Sequence, residues 1–281
     1  MNSLQRFVKK SVIVLILLLI IGGIVYIFTR PEEDLCFDGI KNNGEAGVDC
    51  GGFCDVECPE NLNLPEEVNL LETNWVKIVK DGENTYDLIA SVSNDNERWG
   101  LSKVKYRFLV YDANGKLMSD VSNSVYFMPR GITSGDDIKY IMENNIHFDD
   151  TPVSAEIKFS SYNWKEVETT RELRALNKDI VEISEKANGF DEEMNLYFAR
   201  GTTKNTSKYA FAKVDIVAVI FDNNGDVLAV GKTDQLTISA GGGWGFLISW
   251  KDLDIDEGRI SYIDYKAETN VFNPDNFFEE D

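Results

Sequence analysis

The amino-acid sequence predicts a mainly β protein, with two tandem antiparallel β-sandwiches behind an N-terminal transmembrane helix and a small disulfide knot. Three observations lead to this prediction. An uncharged apolar run lies near the N-terminus, all four cysteines lie close together after it, and the remaining sequence repeats itself. The predicted segments, in order, are a cytoplasmic stub at 1–10, the transmembrane helix at 11–29, a cysteine-rich module at 36–58, sandwiches at 67–168 and 176–273, and an acidic tail at 274–281 that frays.

Residues 11–28 form the apolar run, which is long enough to cross a bilayer. At about 1.5 Å per residue it spans roughly 27 Å, close to the thickness of the hydrocarbon layer. Arg6, Lys9 and Lys10 precede it, so the positive-inside rule places the N-terminus in the cytoplasm and the later domains outside. The alternative is a cleaved signal peptide, but its apolar core is usually about 7–15 residues long and ends at a small-x-small site, which this sequence lacks. The sequence therefore predicts an uncleaved single-pass anchor in the cell membrane.

The composition is strongly acidic, because 48 Asp and Glu residues against 28 Lys and Arg give a net charge of −20. Such a surface repels nucleic acid and anionic lipid headgroups, and it favours cations or basic partners. The same charge would serve equally to keep an extracellular domain soluble. We therefore expect no nucleic-acid partner, and we expect contacts with the membrane and with other envelope or surface proteins.

The four cysteines are Cys36, Cys50, Cys54 and Cys58, in a glycine-rich stretch with few apolar side chains. A segment this small cannot form a core, so cross-links must hold it together. The clustering predicts disulfides formed in an oxidising compartment, and four cysteines allow three pairings. A zinc site of four thiolates is the alternative, but the C-x3-C-x3-C spacing is not the C-x2-C of zinc ribbons.

Oxygen-bearing side chains crowd the same module, where Asp38, Asn42, Glu45 and Asp49 lie within 12 residues. Calcium takes about six to eight oxygen ligands, and glycines allow backbone carbonyls to join them. We therefore predict a calcium site at these four residues, although their spacing is not that of an EF-hand. The alternative is that the side chains only cap turns through local hydrogen bonds.

The cysteine-rich stretch resembles a small module that recurs in secreted and membrane-anchored prokaryotic surface proteins. Its pattern is C-x-D-G-x-x-N-x-x-E-x-x-V-D-C-G-G-x-C-x-x-x-C. The chain carries this pattern as Cys36, Asp38, Gly39, Asn42, Glu45, Val48, Asp49, Cys50, Gly51, Gly52, Cys54 and Cys58. The resemblance implies an extracytoplasmic setting rather than an activity.

Two stretches of the remaining sequence, 104–115 and 214–225, align without a gap. In the first, apolar residues alternate with polar ones, which is the period of a half-buried strand. The residues predicted to face inward are Val104, Tyr106, Phe108 and Val110 in the first copy and Val214, Ile216, Ala218 and Ile220 in the second. Both stretches end in Asp-x-Asn-Gly, which predicts a hairpin turn because Asn and Gly accept a positive φ.

Further strands complete each copy of the repeat. They are predicted at 75–79, 86–92, 124–128 and 153–159, with counterparts at 179–184, 196–202, 234–239 and 260–267. Six or seven short strands at about ten-residue spacing are typical of an antiparallel sandwich. Between the copies, across 165–187, we expect strand ends on both sides of a tight linker rather than a helix at 166–176.

The strand ends of both copies resemble a family of small extracytoplasmic immunoglobulin-like sandwiches named after a Phe-x-Leu-Tyr-Asp motif. In that family one strand ends in Asn, and a later strand ends in aromatic-Asp followed by x-x-Gly. This chain has Asn94 or Asn96 before Tyr111-Asp112, and Asn205 before Phe221-Asp222. The resemblance implies membrane-tethered accessory or binding domains, and it carries no catalytic residues over.

Three other features are candidate sites. His147 is the single histidine, and nothing in the sequence forms a triad with it, so we expect no catalytic role. The glycines around Trp244 look like a phosphate cradle only superficially, because no lysine and no helix follow; we expect a loop between sheets or an exposed aromatic contact. Asn205-Thr206-Ser207 fits the short acceptor pattern for N-glycosylation.

These features predict a non-enzymatic, membrane-anchored binding or scaffold protein of a prokaryotic cell envelope. One alternative is a metal-dependent hydrolase that uses acidic loops near the cysteines or His147, which the lack of a His/Glu ligand cluster disfavours. Another is an accessory subunit of a secretion or surface-filament complex.

Overall fold

In the computed structural model the described residues are Lys41, 44–46, 51–52, Cys54, Cys58, 68–130, 138–166, 180–251 and 257–279. The chain divides into two compact units, 1–62 and 63–281. The apolar run at 11–28, predicted to be a transmembrane helix, lies outside the described residues. Within the described ranges, no helix is long and apolar enough to cross a bilayer.

The second unit is mainly β. Its strands are β1 (Glu72–Lys80), β2 (Thr85–Ser93), β3 (Trp99–Tyr111), β4 (Leu117–Phe127), β5 (Ile138–His147), β6 (Ser154–Glu166), β7 (Val181–Asp191), β8 (Leu196–Asn205), β9 (Tyr209–Asp222), β10 (Val227–Ile238), β11 (Gly243–Lys251), β12 (Ile260–Glu268) and β13 (Phe277–Glu279). Short 3₁₀ helices at Glu257–Arg259 and Pro274–Asn276 precede β12 and β13.

The strands form four antiparallel sheets with the same plan used twice. In the first repeat, β1–β6, the sheets are β1-β2-β5 and β4-β3-β6. In the second repeat, β7–β13, they are β7-β8-β11 and β10-β9-β12. The two sheets of each repeat contribute side chains to one shared apolar core.

The inward alternation of the two central strands is confirmed. Val104, Phe108 and Val110 are fully buried in the first core, and Val214, Ile216 and Ile220 in the second. The strand predicted at 153–159 begins one residue later than expected, because β6 starts at Ser154 and Val153 before it is 60% exposed. Within β6, Ala155, Ile157 and Phe159 face the core.

Both Asp-x-Asn-Gly segments form the same turn. Oδ1 of Asp112 accepts hydrogen bonds from the backbone nitrogens of Asn114 (2.8 Å) and Lys116 (2.9 Å). Asp222 accepts the equivalent pair at the same two distances. The glycines that close the turns, Gly115 and Gly225, have φ of 77° and 83°, which a residue with a side chain rarely adopts. The predicted hairpins are therefore present, and β4 and β10 begin directly after them, earlier than expected.

Three strands were missed by the sequence analysis: β5, β11 and the short β13. In β5 apolar and polar residues do not alternate, because both faces of the strand are buried at Tyr140, Ile141 and Met142. Ile141 faces the first core, and the other two face the second repeat. The glycines expected to form a loop are divided, since Gly241 and Gly242 form a turn and Gly243 begins β11. The expectation of strand ends around the linker holds at both sides, and 167–179 lies outside the described residues.

The C-terminal tail does not fray over its described part, contrary to the prediction. β13 pairs with the first residues of β9. Asn276, just before it, is buried, donates to Oγ1 of Thr269 (2.6 Å) and accepts from the backbone nitrogen of Lys213 (2.9 Å). This side chain ties the tail to the sheet.

A buried asparagine at the end of the second strand joins three strands in each repeat. Nδ2 of Asn205 donates to the carbonyls of Tyr209 (2.6 Å) and Ser239 (3.1 Å). Nδ2 of Asn94 donates to the carbonyls of Trp99 (2.9 Å) and Met128 (2.8 Å).

The equivalent of Asn205 is therefore Asn94 and not Asn96. Asn96 instead joins the chain ahead of β1, because its Nδ2 donates to the carbonyl of Asn69 (2.7 Å). Glycosylation of Asn205 is incompatible with this structure, because the side chain is fully buried and its nitrogen is occupied.

We predict that Asn205→Ala lowers the free energy of unfolding by about 1–3 kcal/mol, because buried carbonyls lose their donor. The matched control is Asn114→Ala in an exposed turn, which should cost less than about 0.5 kcal/mol. Urea unfolding followed by tryptophan fluorescence measures both. Equal losses for the two variants would contradict a structural role for Asn205.

Candidate functional site

The outer face of the sheet β10-β9-β12 is arranged in rows that run across its three strands. The strand register places Val230, Val219 and Asp264 in one row, then Lys232, Val217 and Lys266, and then Asp234, Asp215 and Glu268. The face therefore changes from apolar to basic to acidic along the strands.

The apolar end of this face is buried against the first repeat. Val219, Phe221 and Val230 form one cluster with Val79, Ile89, Tyr140 and Met142 from the sheet β1-β2-β5. Trp75 closes its rim, with its ring centroid 6.2 Å from that of Phe221 and 5.8 Å from that of Tyr140. Aromatic pairs at such distances add to the stabilisation from apolar burial.

Polar contacts between the repeats surround this cluster. Lys139 on β5 forms an ion pair with Glu268 on β12, and their side chains are only 12% and 15% exposed. The hydroxyl of Tyr140 donates to Oδ2 of Asp264 (2.7 Å). At the far end, Nζ of Lys77 lies 3.1 Å from Oδ1 of Asp226.

The tyrosines at this interface act as donors. The hydroxyl of Tyr126 donates to Oδ2 of Asp215 (3.3 Å), and its ring lies 3.9 Å below Nζ of Lys139. Burial and the neighbouring carboxylates raise the pKa of Tyr126 and of Tyr140 above the usual value. Both hydroxyls therefore keep their protons at neutral pH, and each stabilises a carboxylate of the second repeat by a hydrogen bond: Tyr126 that of Asp215 in the acidic row, and Tyr140 that of Asp264.

A third contact lies at the ends of β3 and β4. Met128 is buried in the core of the second repeat, where Val271 and Phe272 belong to the same cluster. Phe272 also packs on Gly100 so closely that a Cβ there would lie 2.5 Å from its ring. The repeats therefore interlock at both ends of the interface.

Between these contacts an open groove remains, with a cavity volume of about 430 Å³. It lies between the edges of β4 and β5 and the charged rows of the second repeat. Its polar lining consists of Tyr106, Ser124, Tyr126, Lys139, Tyr140, Lys213, Asp215, Lys232, Thr233, Asp234, Lys266 and Glu268. Burial lowers the pKa of Lys266, and the neighbouring carboxylate of Glu268 opposes that shift.

The acidic row carries a built-in conflict. Asp234 and Glu268 both lie directly opposite Asp215, and like charges at such positions destabilise a sheet. Lys213 reduces the repulsion at Asp215, because its Nζ lies 2.7 Å from Oδ1 of that residue. Lys139 of the first repeat reduces the repulsion at Glu268 by forming an ion pair with it. The charge pattern of the second repeat is thus completed by the first.

A second cavity of about 430 Å³ lies on the other side of β10, next to Asp81 and Asp87. Asp87 is buried and accepts a hydrogen bond from the backbone nitrogen of Asn145 (2.9 Å). Burial raises the pKa of this carboxyl above its usual value.

The structure describes only part of the predicted calcium site. Glu45 is buried, with Oε1 3.3 Å from Sγ of Cys54. Asp38, Asn42 and Asp49 lie outside the described residues. Among the residues that the structure describes, no group of three His, Cys, Asp or Glu side chains is placed to hold a metal.

The structure likewise describes only two of the four cysteines. Cys54 and Cys58 are buried and disulfide-bonded. Cys36 and Cys50 lie outside the described residues, so the pairing stays a prediction.

The remaining candidates do not join the groove. His147 ends β5 with an exposed side chain, and its Nε2 is 3.7 Å from Oδ1 of Asp149. Trp244 is 66% exposed near the start of β11.

The groove itself was missed by the sequence analysis, although the sequence contains a signal for it. Three strands of the second repeat each carry lysine, one residue, and then an acid, at 213–215, 232–234 and 266–268. With a period of two, both charges of each triplet lie on the same face of the sheet.

No protein-family model and no curated protein sequence matches the chain. Among solved structures, it is similar to red sea bream transglutaminase at 12% identity and a TM-score of 0.22, over 72% of this chain and 29% of that one. It is also similar to the exo-chitosanase CsxA of Amycolatopsis orientalis at 11% identity and a TM-score of 0.25, over 69% of this chain and 25% of that one. The chain thus spans less than a third of either protein, and likenesses this weak support no function.

We predict that Glu268→Gln lowers the free energy of unfolding by about 3 kcal/mol, because it leaves Lys139 largely buried without its partner. Lys139→Met and the double variant complete a double-mutant cycle, in which we expect a clear coupling energy. The control cycle uses Lys158 and Glu156, whose side chains are 44% and 43% exposed. That surface pair should couple by less than about 1 kcal/mol. Equal coupling in the two cycles, measured by urea unfolding, would show that the inter-repeat pair is not stabilising.

Proposed function

We propose that this chain is a non-enzymatic, membrane-anchored extracytoplasmic protein of a prokaryotic cell envelope. In this proposal its two repeats are immunoglobulin-like β-sandwiches that act together as one binding module or scaffold. The observation that carries the proposal is the interface between the repeats, with its shared apolar cluster and largely buried ion pair.

Tandem domains usually move relative to each other unless their interface is large and apolar. Here the apolar cluster draws side chains from both repeats, and polar contacts surround it. A fixed pair of domains keeps a composite groove in one shape, and a preformed groove binds at a lower entropic cost. That is a property of a binding surface or a rigid spacer.

The anchor and the acidic composition support the location. The apolar run at 11–28 is long enough for one span, and the bases before it favour a cytoplasmic N-terminus. The module at 36–58 lies between this run and the repeats in the sequence. We propose that its cysteines are paired in disulfides and that Asp38, Asn42, Glu45 and Asp49 bind calcium.

Two measurements test the proposal, one of membrane topology and one of binding at the groove. In intact cells, protease added from outside should digest the chain beyond Arg30, and mass spectrometry should find residues 1–28 still attached to the mature protein. A photo-crosslinking amino acid at Ser124, an exposed residue that lines the groove, should give adducts with envelope components that the same group at Lys204, on an outer strand face, does not give. A soluble form beginning near Thr29, or identical adducts from both positions, would overturn the proposal.

A further inference from the structure

The outer face of the sheet β4-β3-β6 carries a line of positive charge. Lys103, Lys105 and Arg107 alternate along the central strand β3, which contains no acidic residue. The residues between them are buried in the first core, so these three side chains share the outer face. Lys158 of β6 lies directly opposite Arg107. In a protein with a net charge of −20, this basic face is a distinct surface.

The positive charge is least compensated in the first half of β3. Arg107 and Lys158 each form an ion pair with an acidic neighbour on this face, at 3.0 Å and 2.9 Å. Lys103 and Lys105 are exposed, and within the described ranges neither of them forms an ion pair. These two lysines are therefore the part of the face that is open to an anionic partner.

The corresponding face of the second repeat has the opposite charge. Lys105 corresponds to Asp215 in the gapless alignment of the two copies, and its neighbours across the strands are both serines. Around Asp215 the same positions hold Asp234 and Glu268. The row that is acidic in the second repeat is therefore basic in the first.

The basic face does not match the surface that joins the two repeats. In the second repeat, Val217 and Val230 belong to or pack against the apolar cluster of the interface. The corresponding positions of the first repeat hold Arg107 and Asp120. Because charged side chains replace the apolar ones, we do not expect this face to dock a second copy of the chain in the same way.

The arrangement of the bases favours a linear polyanion. They lie in a line on an open sheet face, so a single small anion would contact only one or two of them. A polymer with an anionic group on each unit contacts several bases at once and releases counterions at each contact. At physiological salt, charges beyond about 8 Å are largely screened, so the bases act on such a polymer more strongly than the distant acidic surface does.

Polar side chains beside the bases favour a polysaccharide. Ser122 and Ser160 flank the line of bases on β4 and β6, and Asn163 lies opposite Lys103. Their hydroxyl and amide groups can donate to sugar hydroxyls and accept from them. The rows from Lys103 to Arg107 contain no aromatic ring, whereas the bases of single-stranded nucleic acid usually stack on such rings.

We propose that the outer face of β4-β3-β6 binds an acidic polysaccharide. Lys103 and Lys105 contact its carboxylates, and the flanking Ser122, Ser160 and Asn163 contact its hydroxyls. Apart from Ser124 at its edge, this face lies outside the groove between the repeats, so the inference goes beyond the proposed function.

Fluorescence anisotropy of end-labelled polygalacturonate, a linear polymer with one carboxylate on each sugar, tests the proposal. The partner is the full-length chain in an uncharged detergent. At about 50 mM salt the polymer should bind, and its methyl-esterified form, which keeps the sugars without the charge, should bind at least about tenfold more weakly. The double variant Lys103→Gln/Lys105→Gln should weaken binding at least about tenfold and reduce its salt dependence, because fewer counterions are released.

The matched control is the double variant Lys204→Gln/Lys251→Gln, which removes two exposed lysines from the outer face of β7-β8-β11. It has the same net charge as the test variant and should bind the polymer as the unaltered protein does. Because all four lysines are exposed, both double variants should unfold at the unaltered urea midpoint.

Three results would overturn the inference. They are the absence of polygalacturonate binding at about 50 mM salt, equal binding by the test and control variants, and equally tight binding of polyglutamate, an acidic peptide without sugar hydroxyls. The protease test of topology and the cross-linking at the groove involve neither Lys103 nor Lys105. The two proposals therefore fail separately.

Discussion

The structure of the second unit depends on one constraint: the sheet β10-β9-β12 is covered on both faces. On one side, β9 sends Val214, Ile216 and Ile220 into the core of its own repeat. On the other side, Val219 and Phe221 meet the first repeat. A strand covered on both sides loses apolar burial whichever repeat unfolds, so the stability of each repeat includes a contribution from the other.

Charged side chains also make the stability of the second repeat depend on the first. Three acidic side chains lie side by side across the strands, and only part of that repulsion is relieved within the second repeat. Lys139 and the hydroxyl of Tyr126 supply the rest from the first repeat. Removing a largely buried partner leaves an uncompensated charge, which costs more than an exposed pair contributes. The interface is therefore selective for this docking geometry as well as stabilising.

Sequence reasoning found β3 from the alternation around Phe108, because solvent and core impose a period of two. It found β9, which is covered on both faces, from the gapless alignment of the two copies, and it found both hairpins from the Asp-x-Asn-Gly turns. It failed at β5, where Tyr140 and Met142 are buried by the other repeat, since contacts made between domains leave no local period. The groove was hidden for the same reason. The Lys-x-acid triplets are readable in the sequence, but their alignment in rows depends on strand register and on the docked first repeat.

The central claim is that the two repeats form one rigid body, and a distance measurement between them tests it most directly. Spin labels at Lys116→Cys and Glu193→Cys lie in exposed turns of the first and second repeats, and no free cysteine competes for the label among the described residues. Pulsed electron–electron double resonance should give one narrow distance distribution. Tyr140→Ala, which removes the ring beside Trp75 and the donor to Asp264, should broaden it. A broad or multiple distribution in the unaltered protein, insensitive to Tyr140→Ala, would contradict the account.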